Sequence, residues 1–152
     1  MTNTQAYLEP TQNAGREFFS RNIAGSVVML NLLRFKEIAD YSAHPALAPA
    51  SPISGADAYR RYMDHTLPYL RASGGDVLFV GRGGPLLIGP EGERWDLALL
   101  VVQSSAASFL AFAGNQDYLA GTCHRTAALE DSRLLPLTDW QLSPGATPTL
   151  TR

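Results

Sequence analysis

Two polar side chains interrupt a stretch that otherwise predicts a fully buried strand. Residues 27–35 read Val-Val-Met-Leu-Asn-Leu-Leu-Arg-Phe, so an amide at Asn31 and a guanidinium at Arg34 stand among apolar neighbours. A buried polar group without a partner costs roughly 2–7 kcal/mol. These side chains therefore either meet partners inside the protein or face a polar cavity. Because strand residues alternate in direction, Asn31 shares a side with Met29 and Leu33, and Arg34 points to the other side.

Each of these two residues has two interpretations. Asn31 either donates a hydrogen bond to a ligand carbonyl or forms an internal bridge. With no sequence-local partner in reach of a mid-strand side chain, we expect the ligand contact. Arg34 is either a second ligand contact or a strand-end charge that reaches solvent. We predict both as ligand-binding residues.

His124 and Arg125 form the next candidate pair. An imidazole can move protons near neutral pH, and a guanidinium can hold a carboxylate or enolate oxygen. In a helix, neighbouring side chains point about 100° apart, so the two need not face one pocket. The alternative is a surface helix in which Arg125 pairs with Glu130 or Asp131. We predict His124 as a catalytic base and Arg125 as a ligand contact.

Asp96 lies near the start of a predicted strand, where alternation places it on the side of Ala98 and Leu100. A carboxylate in a buried position can act as a general base. The alternative is an exposed strand end, with Asp96 paired to Arg94 or Arg82. We predict Asp96 as a second catalytic candidate.

Tyr59 and Tyr62 lie on one side of a predicted helix that begins after Ser54, at an S-x-x-D start whose acidic residue is Asp57. Tyrosines at this spacing are more often core aromatics than ligand donors. We include both as candidate ligand-binding residues. The neighbouring Asp64 and His65 do not form a dyad, because successive helix side chains diverge.

The sequence argues against a metal site. His44, His65 and His124 show neither i, i+4 nor H-x-H spacing, and Cys123 is the single cysteine. Gly81-Arg82-Gly83-Gly84 leads into a proline rather than a helix, so it predicts a turn and not a phosphate loop. We expect no metal and no bound cofactor.

Composition limits the partners and the compartment. The chain has 12 Lys and Arg against 14 Asp and Glu, a net charge of −2, which makes nucleic acid a poor candidate partner. Its apolar runs are far shorter than the ~20 residues of a membrane helix, so we expect no membrane partner. Residues 1–10 are not typical of a signal peptide. One cysteine excludes an internal disulfide and favours a cytoplasmic location.

Hydrophobic periodicity and turn residues predict the secondary structure. A loop of unusual length, Lys36–Ser54, carries three prolines and predicts a mobile lid over the open end of a pocket, or alternatively a disordered insertion. Pro68 is expected to kink its helix or end the regular part early. The predicted helices are 11–21, 54–73, one capped by Ser104 or Ser105 and ending at Gly114, and a broken segment 117–130; the predicted strands are 27–33, 76–82, 94–103 and 133–137, with a short extended piece at 86–88.

Without the first helix, the order is strand, helix, strand, strand, helix, strand, which predicts an α+β, ferredoxin-like fold. Helices on one face leave the other face of the sheet uncovered. Strands that are apolar on both faces then need a second layer, and we expect a homodimer through the uncovered face. Three parts are predicted: an N-terminal extension with a short helix (1–24), the ferredoxin-like domain (25–140) and a flexible tail (141–152).

Several short motifs also resemble the domain-of-unknown-function 1330 family. They are the strand Val28–Lys36, Ile53-Ser54-Gly55 leading to Ala58-Tyr59, the Gly74-Gly75 stop, the Tyr118 turn, and His124-Arg125 leading to Ser132-Arg133-Leu134. The resemblance covers roughly residues 27–137. It implies a dimeric α+β barrel built from ferredoxin-like units, and it brings no established activity or catalytic residue.

Three functions follow as hypotheses. The first is a cofactor-independent enzyme that moves a proton next to a carbonyl in a small carbonyl or aromatic compound, with His124 or Asp96 as base and Asn31 or Arg125 holding the oxyanion. The second is a ligand-binding or sensing dimer with the same pocket. The third is a structural dimerisation domain.

Overall fold

The computed structural model describes residues 5–140. It contains an antiparallel sheet of four strands, with helices before and between them. The elements are α1 (Gln12–Ser20), β1 (Val27–Phe35), α2 (Gly55–Ala72), β2 (Asp76–Pro85), β3 (Arg94–Gln103), α3 (Ala106–Ala113), α4 (Gln116–Leu119), α5 (Thr122–Ala128) and β4 (Leu129–Leu137), with a short 3₁₀ turn at Pro45–Leu47.

The strand order across the sheet is β2-β3-β1-β4, with every neighbouring pair antiparallel. Helices connect β1 to β2 and β3 to β4, whereas a hairpin joins β2 to β3, and this arrangement defines the ferredoxin-like, α+β fold. The fold class predicted from the sequence is confirmed, and α1 is the extra N-terminal helix. The predicted flexible tail, 141–152, lies outside the described residues.

The helices begin where the capping residues predict. The side-chain oxygens of Thr11 and Ser54 accept hydrogen bonds from the backbone N–H groups of Ala14 and Asp57. Of the two serines considered for α3, Ser105 is the N-cap. Each cap satisfies a backbone donor that the helix itself leaves unpaired.

Of the two effects predicted for Pro68, a kink or an early end of the regular helix, the early end is wrong. The helix continues through Pro68 to Ala72, although proline supplies no N–H for the bond to the preceding turn. Thr66 and Leu70, one on each side of the proline, are both buried against the protein. Burial of this side therefore holds the helix together past the missing bond.

The last strand is longer than predicted and begins at Leu129. Glu130 and Asp131 are strand residues and not the end of a helix. Pairing with β1 explains the difference, because Asp131 lies opposite Arg34 and Leu129 opposite Phe35, with a register shift between these two rungs. Pairing with β1 outweighs the local helix propensity of these residues.

The core lies on the face of the sheet that the helices cover. One cluster joins the middle of the sheet to α2 and α5, and a second joins Val27 and Met29 to Phe18 of α1. The first cluster contains Leu33, Tyr41, Ala58, Tyr59, Tyr62, Leu99, Ala127, Ala128 and Leu129.

The other face carries apolar side chains, and no helix among residues 5–140 covers it; we call it the open face. The register places three β1 residues, Val28, Leu30 and Leu32, on this face beside their strand partners. Two side chains stay strongly exposed, Phe79 at 57% and Leu135 at 52%. The open face consists of Val28, Leu30, Leu32, Phe79, Ala98, Leu100, Val102, Leu135 and Leu137.

The loop Lys36–Ser54 is anchored at the end of α5. The backbone N–H groups of Lys36 and Asp40 donate to the carbonyls of Ala128 and Ala127, at 2.8 and 2.9 Å. Gly55 closes this junction, since a Cβ there would lie 2.2 Å from the carbonyl oxygen of Lys36. Residues of this loop line a shallow, open hollow of about 450 Å³.

Candidate functional site

A groove of about 830 Å³ lies between α2 and the strands β2 and β3. Its walls are mostly apolar, with charged side chains among them, which is the usual make-up of a small-molecule site. None of the residues lining it comes from the loop Lys36–Ser54, so the prediction of a lid over the pocket is wrong for this groove. The lining consists of Phe35, Ala56, Tyr59, Arg60, Met63, Asp64, Leu67, Arg71, Val77, Val80, Arg82, Gly83, Asp96, Leu97 and Leu99.

Asp96 is the predicted catalytic residue that lies in this groove. Its Oδ2 accepts a hydrogen bond of 2.8 Å from the backbone N–H of Phe35, and its Oδ1 lies 3.8 Å from Nη1 of Arg94. The predicted pairing with Arg94 is therefore present. The expected alternation is wrong here, because Asp96 lines the same groove as its neighbour Leu97. The carboxylate side chain is 31% exposed, which leaves it open to a ligand.

The arginines that line the groove differ in their partners. Arg60 pairs with Asp57 at 2.9 Å, and Arg71 pairs with Asp76 at 3.3 Å. Arg82 makes no ion pair with any residue between 5 and 140. Sequence reasoning missed Arg82 as a site residue. Arg82 stands two residues after Val80 in a predicted strand. This spacing places both side chains on the same face of the sheet.

Tyr59 lines the groove, whereas Tyr62 does not. Both are buried, as expected for core aromatics. The hydroxyl groups of Tyr62 and Tyr118 lie 2.7 Å apart and share a hydrogen bond. Burial is the main cause that raises the pKa of Tyr59, and the nearby Tyr62 raises it further. Tyr59 is therefore a neutral phenol that can hydrogen-bond but does not ionise in the physiological range.

His124 and Arg125 do not meet in one pocket, and neither lines the groove. His124 Nδ1 lies 2.8 Å from the hydroxyl of Tyr41, which belongs to the loop Lys36–Ser54. Burial, with the positive charge of Arg61 and the neighbouring His65, lowers the pKa of His124. The ring is therefore neutral at neutral pH and shares a hydrogen bond with the Tyr41 hydroxyl.

Arg125 anchors the N-terminal segment. Its Nη1 donates to the backbone carbonyl of Leu8, and its Nη2 lies 3.4 Å from the hydroxyl of Ser132. The hydroxyl of Ser132 donates in turn to the carbonyl of Tyr7. The alternative weighed from the sequence, a surface pair with Glu130 or Asp131, is wrong, because Arg125 reaches backbone and hydroxyl groups instead.

Arg34 belongs to a closed charged assembly at one end of the sheet, which we call the Arg34–Asp131 cluster. Its guanidinium contacts Asp131 at 3.3 Å and Glu130 at 3.4 Å. Asp131 also accepts from Arg133 at 2.7 Å and from the backbone N–H of Tyr7 at 2.8 Å. The guanidiniums of Arg34 and Arg133 lie over the ring of Trp95, which completes the cluster.

Asn31 has a local partner after all. Its amide nitrogen donates to the carbonyl of Met29, two residues away, at 3.3 Å. The expectation that no sequence-local partner is in reach is therefore wrong. Asn31 is partly buried and is not among the residues that line the groove.

Within residues 5–140, no group of three or more His, Cys, Asp and Glu side chains is arranged to hold a metal ion. None of the helices there combines the length and apolarity that crossing a membrane requires.

Comparison with known proteins gives a clear structural relative. No protein-family profile and no curated protein matches the chain. A crystal structure of methylated RPA0582 protein shares 31% identity over 94% of this chain and 100% of that one, with a TM-score of 0.79. A second structure, of the RPA0582 protein of unknown function from Rhodopseudomonas palustris, shares 32% identity over 88% and 96%, with a TM-score of 0.75.

A dimeric ferredoxin-like protein of unknown function from Bacteroides fragilis is far more distant. It shares 15% identity over 74% of this chain and 94% of that one, with a TM-score of 0.40, and nothing is concluded from it. The RPA0582 likeness, by contrast, spans nearly the whole of both chains and includes the main elements of the fold. The chain belongs to the same family as the RPA0582 protein of Rhodopseudomonas palustris.

Proposed function

We propose that this protein binds a small, partly apolar molecule in the groove between α2 and the strands β2 and β3. The single observation that supports this most is the composition of an 830 Å³ cavity whose floor is apolar and whose ionisable groups include a partly exposed carboxylate, Asp96. Cavities of roughly 300–1,000 Å³ with a few placed polar groups are typical of ligand sites.

The proposal uses two residues predicted from the sequence, Asp96 and Tyr59. The other predicted site residues have partners outside the groove, and their roles stay predictions, catalytic for His124 and ligand-binding for the rest; they are Asn31, Arg34, Tyr62, His124 and Arg125. Binding without turnover is the function that this arrangement supports best. His124, the other residue predicted to be catalytic, does not line the groove with Asp96.

A thermal-shift screen of small organic compounds tests the proposal, because a ligand that binds only the folded state raises its melting temperature. Val80→Trp places a large ring on the groove wall and should abolish the shifts. Leu87→Trp, at a fully exposed hairpin position, is the matched control and should keep them. Equal shifts in both variants would contradict binding in the groove.

Proton transfer is a second candidate function, supported by the position of Asp96. Its Oδ2 is held by the N–H of Phe35, which fixes the carboxylate while the groove side stays open. Such a carboxylate can take a proton from a carbon next to a substrate carbonyl. Exchange of that proton with deuterated water, measured by NMR for each compound found in the screen, tests this step. Exchange that persists in Asp96→Asn would contradict it.

We also propose a homodimer that forms through the open face. A contiguous exposed apolar surface on one side of a sheet is typical of an interaction site, and a two-fold axis would pair it with the same surface of a second copy. Leu135→Glu, on the open face, should shift the protein to monomer in sedimentation. Leu134→Glu is the control, since Leu134 is similarly exposed but points to the other side. A monomeric parent protein at micromolar concentration would contradict the proposal.

Two broader predictions complete this proposal. The cytoplasmic location is supported by the single, buried cysteine, Cys123. A relationship to the domain-of-unknown-function 1330 family is supported by the motifs along residues 27–137 and by the ferredoxin-like fold.

A further inference from the structure

We infer that the ligand of the groove is an amphipathic organic anion, such as a carboxylate with an apolar body, and that Arg82 binds its charged group. This inference rests on the proposed function of the groove. It adds the charge of the ligand and the position of its head group, which the cavity alone does not give.

The first argument is the distribution of charge in the groove. Arg60, Arg71 and Asp96 each have an oppositely charged partner, namely Asp57, Asp76 and Arg94. Asp64 makes no ion pair with any residue between 5 and 140, although Arg60 and Arg61 stand at helical spacings of four and three residues from it.

Arg82 is the one arginine of the groove lining without an ion pair to another residue between 5 and 140. Its cross-strand partner is Leu97, and the strand neighbours two residues away, Val80 and Gly84, are also uncharged. No ion pair or hydrogen bond joins the Arg82 side chain to any residue in the part of the chain that the structure describes. A guanidinium carries donors in a planar fork that matches a carboxylate.

The second argument is the position of Arg82 relative to the apolar floor. Strand β2 pairs with β3 so that Arg82, Val80 and Val77 lie opposite Leu97, Leu99 and Val101. Val77, Val80, Leu97 and Leu99 all line the groove, together with Met63 and Leu67 of α2. Arg82 therefore stands at one end of an apolar floor. A molecule that fits has one anionic end and an apolar body.

Two dyes with the same aromatic body provide the test. 1-Anilinonaphthalene-8-sulfonate carries a sulfonate, and N-phenyl-1-naphthylamine is its uncharged counterpart. Fluorescence titration of each dye gives its affinity for the intact chain and for single variants. Because an exposed ion pair contributes about 0.2–1 kcal/mol, we expect Arg82→Gln to weaken binding of the sulfonate dye by about threefold. Binding of the uncharged dye should not change.

Arg16→Gln is the control, since Arg16 is an exposed arginine of α1 that does not line the groove. It should leave both affinities unchanged. Added salt should weaken only the sulfonate dye, because exposed charges are screened. Equal losses in Arg82→Gln and Arg16→Gln, or no loss in Arg82→Gln, would overturn the role of Arg82.

Val80→Trp separates this inference from the proposal on which it rests. If Val80→Trp abolishes binding of both dyes while Arg82→Gln changes neither, the groove binds ligands and the anion preference is wrong. If Val80→Trp leaves both dyes bound as before, the dyes do not occupy the groove, and the proposed function fails together with the inference. Melting temperatures of the variants, measured alongside, confirm that each is folded.

Discussion

The Arg34–Asp131 cluster and the groove use the same kinds of residues for different ends. In the cluster, Asp131 is contacted by two guanidiniums and two backbone N–H groups, and its side chain is only 5% exposed. In the groove, Asp96 is 31% exposed, and Arg82 has no charged partner within residues 5–140. A charge whose partners are all within the protein holds the fold together, whereas a charge without them is available to a ligand. The sequence alone does not reveal whether a charged residue has such partners.

The largest expected effect is the loss of the charge at Asp131. Asp131→Asn leaves Arg34 and Arg133 without their shared carboxylate and places an amide N–H against donors. Removing one partner of a buried ionic assembly costs about 3–5 kcal/mol, so we expect a loss of that order in the free energy of unfolding. Urea denaturation measures it. Asp96→Asn, in the groove, is the control and should lose much less.

Lowering the pH should also destabilise the Arg34–Asp131 cluster, but by a smaller free energy than Asp131→Asn does. Protonation keeps the shape of the carboxyl group, whereas the substitution replaces it. Burial acts to raise the pKa of Asp131, but the hydrogen bonds from Tyr7, Arg133 and Ser132 outweigh it and lower the pKa below its usual value. The stabilisation is therefore complete above the unfolded-state pKa, about 3.9, and is lost as the pH falls through the lower folded-state value. Melting temperatures between pH 6 and 2 should fall less steeply in Asp131→Asn.

Replacing one arginine in each region compares them directly. Arg34→Met should cost about 2 kcal/mol of stability, the scale of a hydrogen bond to a charged group. Arg82→Met should change stability by less than about 0.5 kcal/mol, as is usual at exposed sites without partners. Calorimetry on both variants gives the two values. A similar loss in both would show that Arg82 has a structural partner and would break the comparison.

Among the side chains with a partner inside the protein, Asn31 has the smallest expected effect. Its single local hydrogen bond to Met29 predicts a loss of about 0.5–1.5 kcal/mol in Asn31→Ala. Because Asn31 does not line the groove, dye affinity should stay the same. A fall in affinity without a loss of stability would restore Asn31 to the ligand-binding residues that the sequence predicted.

The fold could be predicted from the sequence because its determinants are local and repeated. Capping residues such as Thr11 and Ser54 and the apolar run of β1 all agree with the ferredoxin-like order. Two errors came from contacts distant in sequence. Pairing with β1 makes Glu130 and Asp131 part of a strand, and burial of Thr66 and Leu70 carries α2 past Pro68.

The residues of the site were harder to predict than the fold, because they depend on which side chains have partners elsewhere in the protein. Asp96 and Tyr59 were found from their residue types and positions. Arg82 was missed, since its availability depends on the uncharged residues across the strand pair, which no local pattern reveals. His124 and Arg125 are adjacent in sequence, yet one contacts Tyr41 and the other the carbonyl of Leu8.

The N-terminal segment has a consequence for how this protein behaves at high concentration. Strand β4 is at the edge of the sheet, and edge strands are templates on which further chains can add and polymerise. The backbone at Tyr7 and Leu8 is tied to side chains of Asp131, Ser132 and Arg125, beside the first half of that edge. An incoming strand would have to displace these contacts before it could pair there. The segment therefore protects this part of the edge against fibril growth.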